Sequence, residues 1–122
     1  MPQITIVATR NVFVRLNMIA FADRVRSFTA QALNCNTPNG KLSVDDTEAH
    51  VVEADSLHIV GSNEFQVKIT VEANDYPERK SNLAERSDLL ESLVKEILPK
   101  DFRCYIWVKL SPAEFRAFNG TM

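Results

Sequence analysis

The sequence predicts an α+β fold in which two β-α-β units form one mixed sheet with two helices on one of its faces. Three observations predict it. Short β-rich runs alternate with stretches of helical periodicity, the first half aligns with the second at a shift of 65 residues, and the chain has the length of one domain. With 122 residues, 45% hydrophobic and 25% charged, the chain is expected to form a single domain over residues 1–122.

The first unit covers about residues 2–54. Residues 3–9, QITIVAT, are rich in β-branched side chains and predict a strand. Residues 17–33 carry apolar side chains at helical intervals and predict an amphipathic helix, which the turn-prone stretch NCNTPNGK ends. Residues 48–54, EAHVVEA, predict the second strand of this unit.

The second unit covers about residues 65–110 and repeats the pattern. FQVKITVEA at 65–73 predicts a strand, and a helix follows that Pro99 ends. RCYIWVKL at 103–110 predicts the last strand. The helix has one apolar stripe, made of Leu83, Leu90, Leu93, Val94, Ile97 and Leu98.

The two units align position by position. The shift lays ITIVA at 4–8 on ITVEA at 69–73 and Met18 on Leu83. A β-α-β crossover joins parallel strands in a right-handed sense, so each unit contributes two parallel strands covered by one helix. Because the strands carry apolar residues at both phases, we expect other subunits to bury part of the face without helices.

Composition and motifs exclude several classes of protein. A net charge of −2 without a lysine or arginine run argues against a nucleic-acid partner. No apolar run reaches the length of a membrane span and no secretory leader is recognisable, so we expect a cytoplasmic protein without a membrane partner. Cys35 and Cys104 lack metal or redox spacing, and His50 and His58 are poorly spaced for one metal. We therefore expect reduced cysteines, no metal and no cofactor.

Pro2 stands directly ahead of the first strand. Proline is tolerated at the first residue of a strand, which is the structural interpretation. The functional interpretation starts from removal of Met1, which would expose a secondary amine. An α-amino group has a pKa of about 7.7–8.0, and an apolar pocket or a nearby cation lowers it. Such a base can move a proton next to a carbonyl, which is keto-enol tautomerisation of a small-molecule substrate.

Met-Pro at the head of a strand, followed by two β-α-β repeats, resembles the tautomerase superfamily, whose members use the N-terminal proline as catalytic base. The sequence is most similar to the 5-carboxymethyl-2-hydroxymuconate isomerase branch, through the spacing from Asn11 to Val25, the FQVKITVEA segment and the arginine-bearing turn before the second helix. The resemblance covers nearly the whole chain. It implies a fold like that of macrophage migration inhibitory factor, a homotrimer with sites at subunit interfaces, and no cofactor.

The resemblance also implies roles for three further residues. Arg79 matches the family's arginine before the second helix, which binds the substrate carboxylate. RCYI resembles the strand of macrophage migration inhibitory factor whose tyrosine lines the proline pocket from a neighbouring subunit. Tyr105 and Trp107 share one strand face, and we expect them to form the wall that packs a planar substrate. The alternative is that both are core aromatics.

The sequence departs from that branch at VDDTEAH, residues 44–50, where the isomerases carry arginine. The acids there are Asp45, Asp46 and Glu48. They would repel a dicarboxylate, which implies a less anionic substrate or no catalysis. Arginines that would compensate are Arg10, Arg15 and Arg103. Two alternatives to a tautomerase stay open: a catalytically silent oligomeric binding protein of the same fold, and a hydratase or dehalogenase in which carboxylates activate water.

Overall fold

The computed structural model describes residues 2–37, 40–54, 65–114 and 116–121, so His58 lies outside the described residues. Its elements are β1 (Gln3–Thr9), α1 (Arg10–Arg15), α2 (Met18–Leu33), a 3₁₀ turn (Val44–Asp46), β2 (Glu48–Ala54), β3 (Val67–Asn74), α3 (Pro77–Ser81), α4 (Leu83–Ile97) and β4 (Cys104–Ser111). Among the helices described, none is both long enough and apolar enough to cross a membrane.

The four strands form one mixed sheet in the order β2-β1-β3-β4. β1 pairs in parallel with β2, β3 pairs in parallel with β4, and the two inner strands are antiparallel, with Ile6 opposite Ile69. Each unit therefore contributes one inner and one edge strand. The predicted mixed sheet with helices is confirmed, because each crossover joins two parallel strands through one long helix.

The predicted elements agree closely with those observed, but three short elements were not predicted. β2 has the predicted bounds, and α4 ends at Ile97, just before Pro99. The unpredicted elements are α1, α3 and the 3₁₀ turn. α1 and α3 have six and five residues, less than two helical turns, so no apolar period can develop in them.

The core lies between the helices and one face of the sheet. Along β1, Ile4, Ile6 and Ala8 are buried, and they alternate with half-buried residues. Val25 on α2 and Leu90 on α4, which coincide in the shifted alignment, are both buried in this core. The repeated pattern in the sequence is thus a repeated set of core positions.

The opposite face of the sheet, which we call the open face, is covered by no element among the described residues. Trp107 is 55% exposed there and Val52 is 47% exposed. Strand register arranges the face in three rows across the sheet. From the Pro2 end, these are Glu48, Gln3, Glu72 and Lys109; then His50, Thr5, Thr70 and Trp107; then Val52, Val7, Lys68 and Tyr105.

Candidate functional site

Pro2 lies at the head of β1 and its side chain is less than 2% exposed. Its carbonyl oxygen accepts a hydrogen bond of 3.3 Å from the backbone N–H of Glu48, which ties it to the start of β2. Pro2 alternates in phase with the buried Ile4, so its ring faces the helix-covered side of the sheet. Burial penalises the charged form of an amine.

Arg79 on α3 lies at the same end of the sheet and is only 2% exposed. Its Nε donates to the carbonyl oxygen of Leu33 at 2.9 Å, and Nη1 donates to that of Asn74 at 3.1 Å. Its Cζ lies 4.9 Å from the centre of the Tyr76 ring. The guanidinium thus joins the end of α2 to the end of β3, and a substrate carboxylate would compete with these carbonyls.

Arg86 on α4 holds the same helix end, and sequence reasoning missed it. Nη1 of Arg86 donates to the carbonyl oxygens of Ala32 at 3.1 Å and Asn34 at 2.8 Å. The last carbonyls of α2 therefore bind two cations from the second unit, which also suits the negative end of the helix dipole. The sequence does contain a signal for this contact. α2 has no basic residue in its own last turn, so its last carbonyls need donors from another element.

Tyr105 and Trp107 lie on the open face, away from Pro2 of the same chain. Trp107 is opposite Thr70, which is opposite Thr5, so it lies three residues along the sheet from Pro2 and two strands across. One chain does not bring these aromatics to the proline. The predicted pocket, which takes the tyrosine from a neighbouring subunit, requires a second copy.

The Tyr105 ring contacts a further aromatic residue and two cations. It packs edge-on against Phe65, with ring centres 4.5 Å apart. The Nζ of Lys68 lies 5.8 Å from the centre of the Tyr105 ring. The Cζ of Arg103 lies 4.9 Å from the centre of the Phe65 ring. Aromatic rings and cations therefore meet at this end of the open face.

Two acids of the 44–50 stretch have structural partners. Asp46 accepts from the backbone N–H of Ser43 at 2.8 Å and from its hydroxyl at 3.2 Å, which caps the 3₁₀ turn. Glu48 accepts from the Gln3 amide at 3.1 Å, and its second oxygen lies 2.9 Å from His50 Nε2. Both carboxylates thus serve local structure, which disfavours their use in activating water.

The remaining arginines from the sequence analysis lie elsewhere. Arg10 is exposed and begins α1, at the opposite end of β1 from Pro2. Arg15 forms an ion pair with Asp101, whose pKa is lowered by the hydrogen bond from that arginine. Its Cζ also lies 4.4 Å from the centre of the Phe102 ring. Of the alternative anchors, only Arg103 lies beside predicted wall residues.

Neither cysteine is arranged as a nucleophile. Burial raises the pKa of the Cys104 thiol to about 12, so it stays protonated at neutral pH. Cys35 is 1% exposed, and its Sγ lies 3.6 Å from the carbonyl oxygen of Leu33. Within the described ranges, no group of three or more His, Cys, Asp or Glu residues is arranged to hold a metal ion.

The chain matches solved structures over nearly its whole length. A macrophage migration inhibitory factor-like protein from Entamoeba histolytica aligns at a TM-score of 0.58 and 11% identity, over 97% of this chain and 95% of that one. A malonate semialdehyde decarboxylase aligns at 0.59 and 16% identity, over 98% and 91%. A 5-carboxymethyl-2-hydroxymuconate delta-isomerase aligns at 0.57 and 12% identity, over 98% and 89%.

No protein-family model and no curated protein matches the sequence. The structural alignments establish a common fold, and the low identities of 11%, 16% and 12% leave the reaction open. The resemblance predicted from the sequence is confirmed at that level, since these structures share the β-α-β architecture described above. The chain has the fold of the tautomerase superfamily.

Proposed function

We propose that this protein is a cofactor-free tautomerase that isomerises a small unsaturated oxo acid, with the amine of Pro2 as the base once Met1 is removed. The observation that carries the proposal is the position of Pro2. Its side chain is less than 2% exposed at the head of an inner strand, in a fold whose solved examples include an isomerase and a decarboxylase. Burial favours the neutral amine, which is the form that accepts a proton.

The reaction needs one proton to leave and one to return. The lone pair of the Pro2 nitrogen takes a proton from the carbon next to the carbonyl, and the electrons of that C–H bond form the new double bond of a dienolate, whose negative charge lies on the carbonyl oxygen. The prolinium then returns a proton to another carbon of the conjugated system, which restores the carbonyl and regenerates the amine. No oxidant, reductant or metal enters the balance.

The proposal includes a homotrimer in which the open face contacts other subunits. Val52 and Trp107 expose large apolar side chains on that face. In this assembly the Pro2 site of one subunit is lined by Tyr105 and Trp107 of a neighbouring subunit. One structural neighbour, a fused 4-OT with a TM-score of 0.51 and 9% identity, is described as a symmetric trimer. That description supports the proposal by analogy of fold.

Arg79 does not serve as the substrate anchor in this proposal, although the resemblance implies that role. Its donors bind the carbonyl oxygens of Leu33 and Asn74, and it is buried. If a substrate carboxylate took these donors, the carbonyl oxygens of Leu33 and Asn74 would lose their hydrogen bonds. Another cation must bind the carboxylate.

The test combines mass spectrometry of the N-terminus with turnover of phenylenolpyruvate. Protein that begins at Pro2 is expected to ketonise the enol, and Pro2→Ala is expected to lose about 100-fold in kcat/KM, the lower end of typical general-base contributions. Pro112→Ala, in the exposed tail, is the matched control and should keep full activity. Equal activity in wild type and Pro2→Ala would contradict the base assignment.

A catalytically silent oligomeric binding protein of the same fold is the second candidate. The specific observation in its favour is that the buried Arg79 uses Nε and Nη1 to bind backbone carbonyl oxygens. Intact Met1 on the native protein, together with no turnover of the enol, would favour this candidate. A hydratase is less favoured, because Asp46 and Glu48 already hold local structure.

A further inference from the structure

A groove of about 570 Å³ lies between α4 and the edge strand β4, on the side of the sheet that the helices cover. We call it the α4–β4 groove, and its apolar residues are Val94, Leu98, Pro99, Phe102, Cys104 and Ile106. Val94 and Phe102 are 2% and 6% exposed, so the floor of the groove belongs to the core. None of the described lining residues belongs to the open face.

The size and lining of the groove suit an alkyl chain. Its volume lies within the range of small-molecule sites. Along α4 the lining residues run from Ser87 to Leu98, a distance of about 16 Å at the helical rise per residue. An extended decanoate molecule is shorter than that. Because burial raises the pKa of the Cys104 thiol to about 12, this residue adds no charge to the β4 wall at neutral pH.

One cation lines the groove just after the end of α4. Lys100 lies there in the turn to β4, which the N–H of Phe102 closes on the carbonyl oxygen of Pro99 at 3.1 Å. The adjacent carboxylate of Asp101 accepts a hydrogen bond of 3.2 Å from Arg15 and so belongs to another ion pair. Among the described residues, Lys100 has no ion-pair partner.

The charge that lines the groove is positive overall, since two ammonium groups and one carboxylate line it. The carboxylate of Glu91 lies 2.9 Å from the Nζ of Lys95, one helical turn further along α4. This pair leaves the charge of Lys100 uncompensated. A ligand with an apolar chain and an anionic end therefore complements the groove, whereas a cationic end does not.

The first unit has a corresponding groove without such a cation. It lies between α2 and β2 and has a volume of about 520 Å³. The charged residues described in its lining are Asp23 and Arg26, which form an ion pair at 3.0 Å. Arg26 also donates to the carbonyl oxygens of Thr47 at 3.2 Å and Val44 at 3.0 Å. The two grooves are thus similar in size and differ in charge.

We propose that the α4–β4 groove binds a free medium-chain fatty acid, with its alkyl chain along α4 and its carboxylate at Lys100. Removal of the methylene groups from water supplies most of the affinity, and the cation at one end fixes the direction of the chain. A free fatty acid fits better than a membrane surface, because the apolar residues line a groove between two elements and not an exposed patch. The inference does not depend on the proposed function, since Pro2 does not line the groove.

Titration with decanoate below its micellar concentration tests this inference by NMR. The methyl signals of Val94 and Ile106 are expected to move with saturation, whereas those of Val51, in the groove of the first unit, should stay in place. Hexanoate should bind at least about tenfold more weakly, because it lacks four methylene groups that the groove would bury. Decylammonium, which carries the opposite charge on a chain of equal length, should bind at least about threefold more weakly.

Lys100→Gln is expected to raise the Kd for decanoate about threefold, the scale of an exposed charge pair. Lys109→Gln is the matched control and should leave the Kd unchanged, since Lys109 lies on β4 in a row of the open face. Unchanged dispersion of the amide spectrum checks that both variants are folded.

Three results would overturn the proposal: no saturable movement of the Val94 and Ile106 methyl signals, equal affinity for decanoate and decylammonium, or an unchanged Kd in Lys100→Gln. Binding to vesicles of anionic phospholipid without binding of free decanoate would also overturn it and would favour a membrane surface instead.

Discussion

Thr29 on α2 is fully buried, and its hydroxyl has no hydrogen-bond partner among the described residues. In the shifted alignment it coincides with Val94 of α4, which fills the same place in the other unit. A buried hydroxyl without a partner lowers stability, because it loses water and gains nothing in return. The second unit thus has an apolar side chain, Val94, at the position equivalent to Thr29.

We expect Thr29→Val to raise the free energy of unfolding by about 1 kcal/mol, since it removes an unpaired polar group at nearly constant volume. Thr47→Val is the matched control. Thr47 is also buried, but its hydroxyl donates to the carbonyl oxygen of Val44 at 2.7 Å, so this change should lower stability by about 1 kcal/mol. Urea denaturation measures both, and a loss of stability in Thr29→Val would contradict the argument.

At the scale of elements, the end of α2 depends on contacts with the second unit. Its carbonyls at 32–34 bind Arg79 and Arg86, which lie on α3 and α4. The pseudo-repeats are therefore joined by more than the inner strand pair and the packing of the long helices. Arg79 makes these contacts within the fold, and its role toward a substrate stays a prediction.

Arg79→Gln is expected to lower the free energy of unfolding by about 3 kcal/mol, because two backbone acceptors lose their donor inside the fold. Lys80→Gln on the same helix should change it by less than about 1 kcal/mol, since Lys80 makes only an exposed ion pair with Asp75. Thermal and urea unfolding measure both variants. Full stability of Arg79→Gln would contradict the structural role of its guanidinium.

At the scale of the whole molecule, the open face is the surface that the fold leaves uncovered. Trp107 and Val52 expose apolar area there, and β4 is an edge strand of eight residues without proline. An edge strand without proline is a template for pairing with another chain. The geometry thus favours association through the sheet.

We expect light scattering to give a mass of three chains in solution, and Val52→Glu to reduce it toward one, because a buried unpaired carboxylate opposes the contact. Ile19→Glu is the control, since Ile19 is 83% exposed on α2 and lies off the open face. A monomeric wild-type protein, or a trimer unaffected by Val52→Glu, would reject the open face as the interface.

Local sequence patterns were enough to predict the long helices, the strands and their repetition. Hydrophobic alternation and helical periodicity are local patterns, so they located β2 to the residue, and Pro99 marked the end of α4, which is at Ile97. They did not locate α1 and α3, which are too short to show a period. They also identified Pro2 as the head of the first strand, which the hydrogen bond to Glu48 agrees with.

Contacts between charged and aromatic side chains became visible only in the folded chain. The Nε of Arg79 reaches a carbonyl 46 residues away, and Phe65 meets Tyr105 across a strand pair. Composition and spacing carry no information on such contacts, since they depend on register and on how the two units pack. For this reason the sequence could not predict that Arg79 donates to the carbonyl oxygens of Leu33 and Asn74.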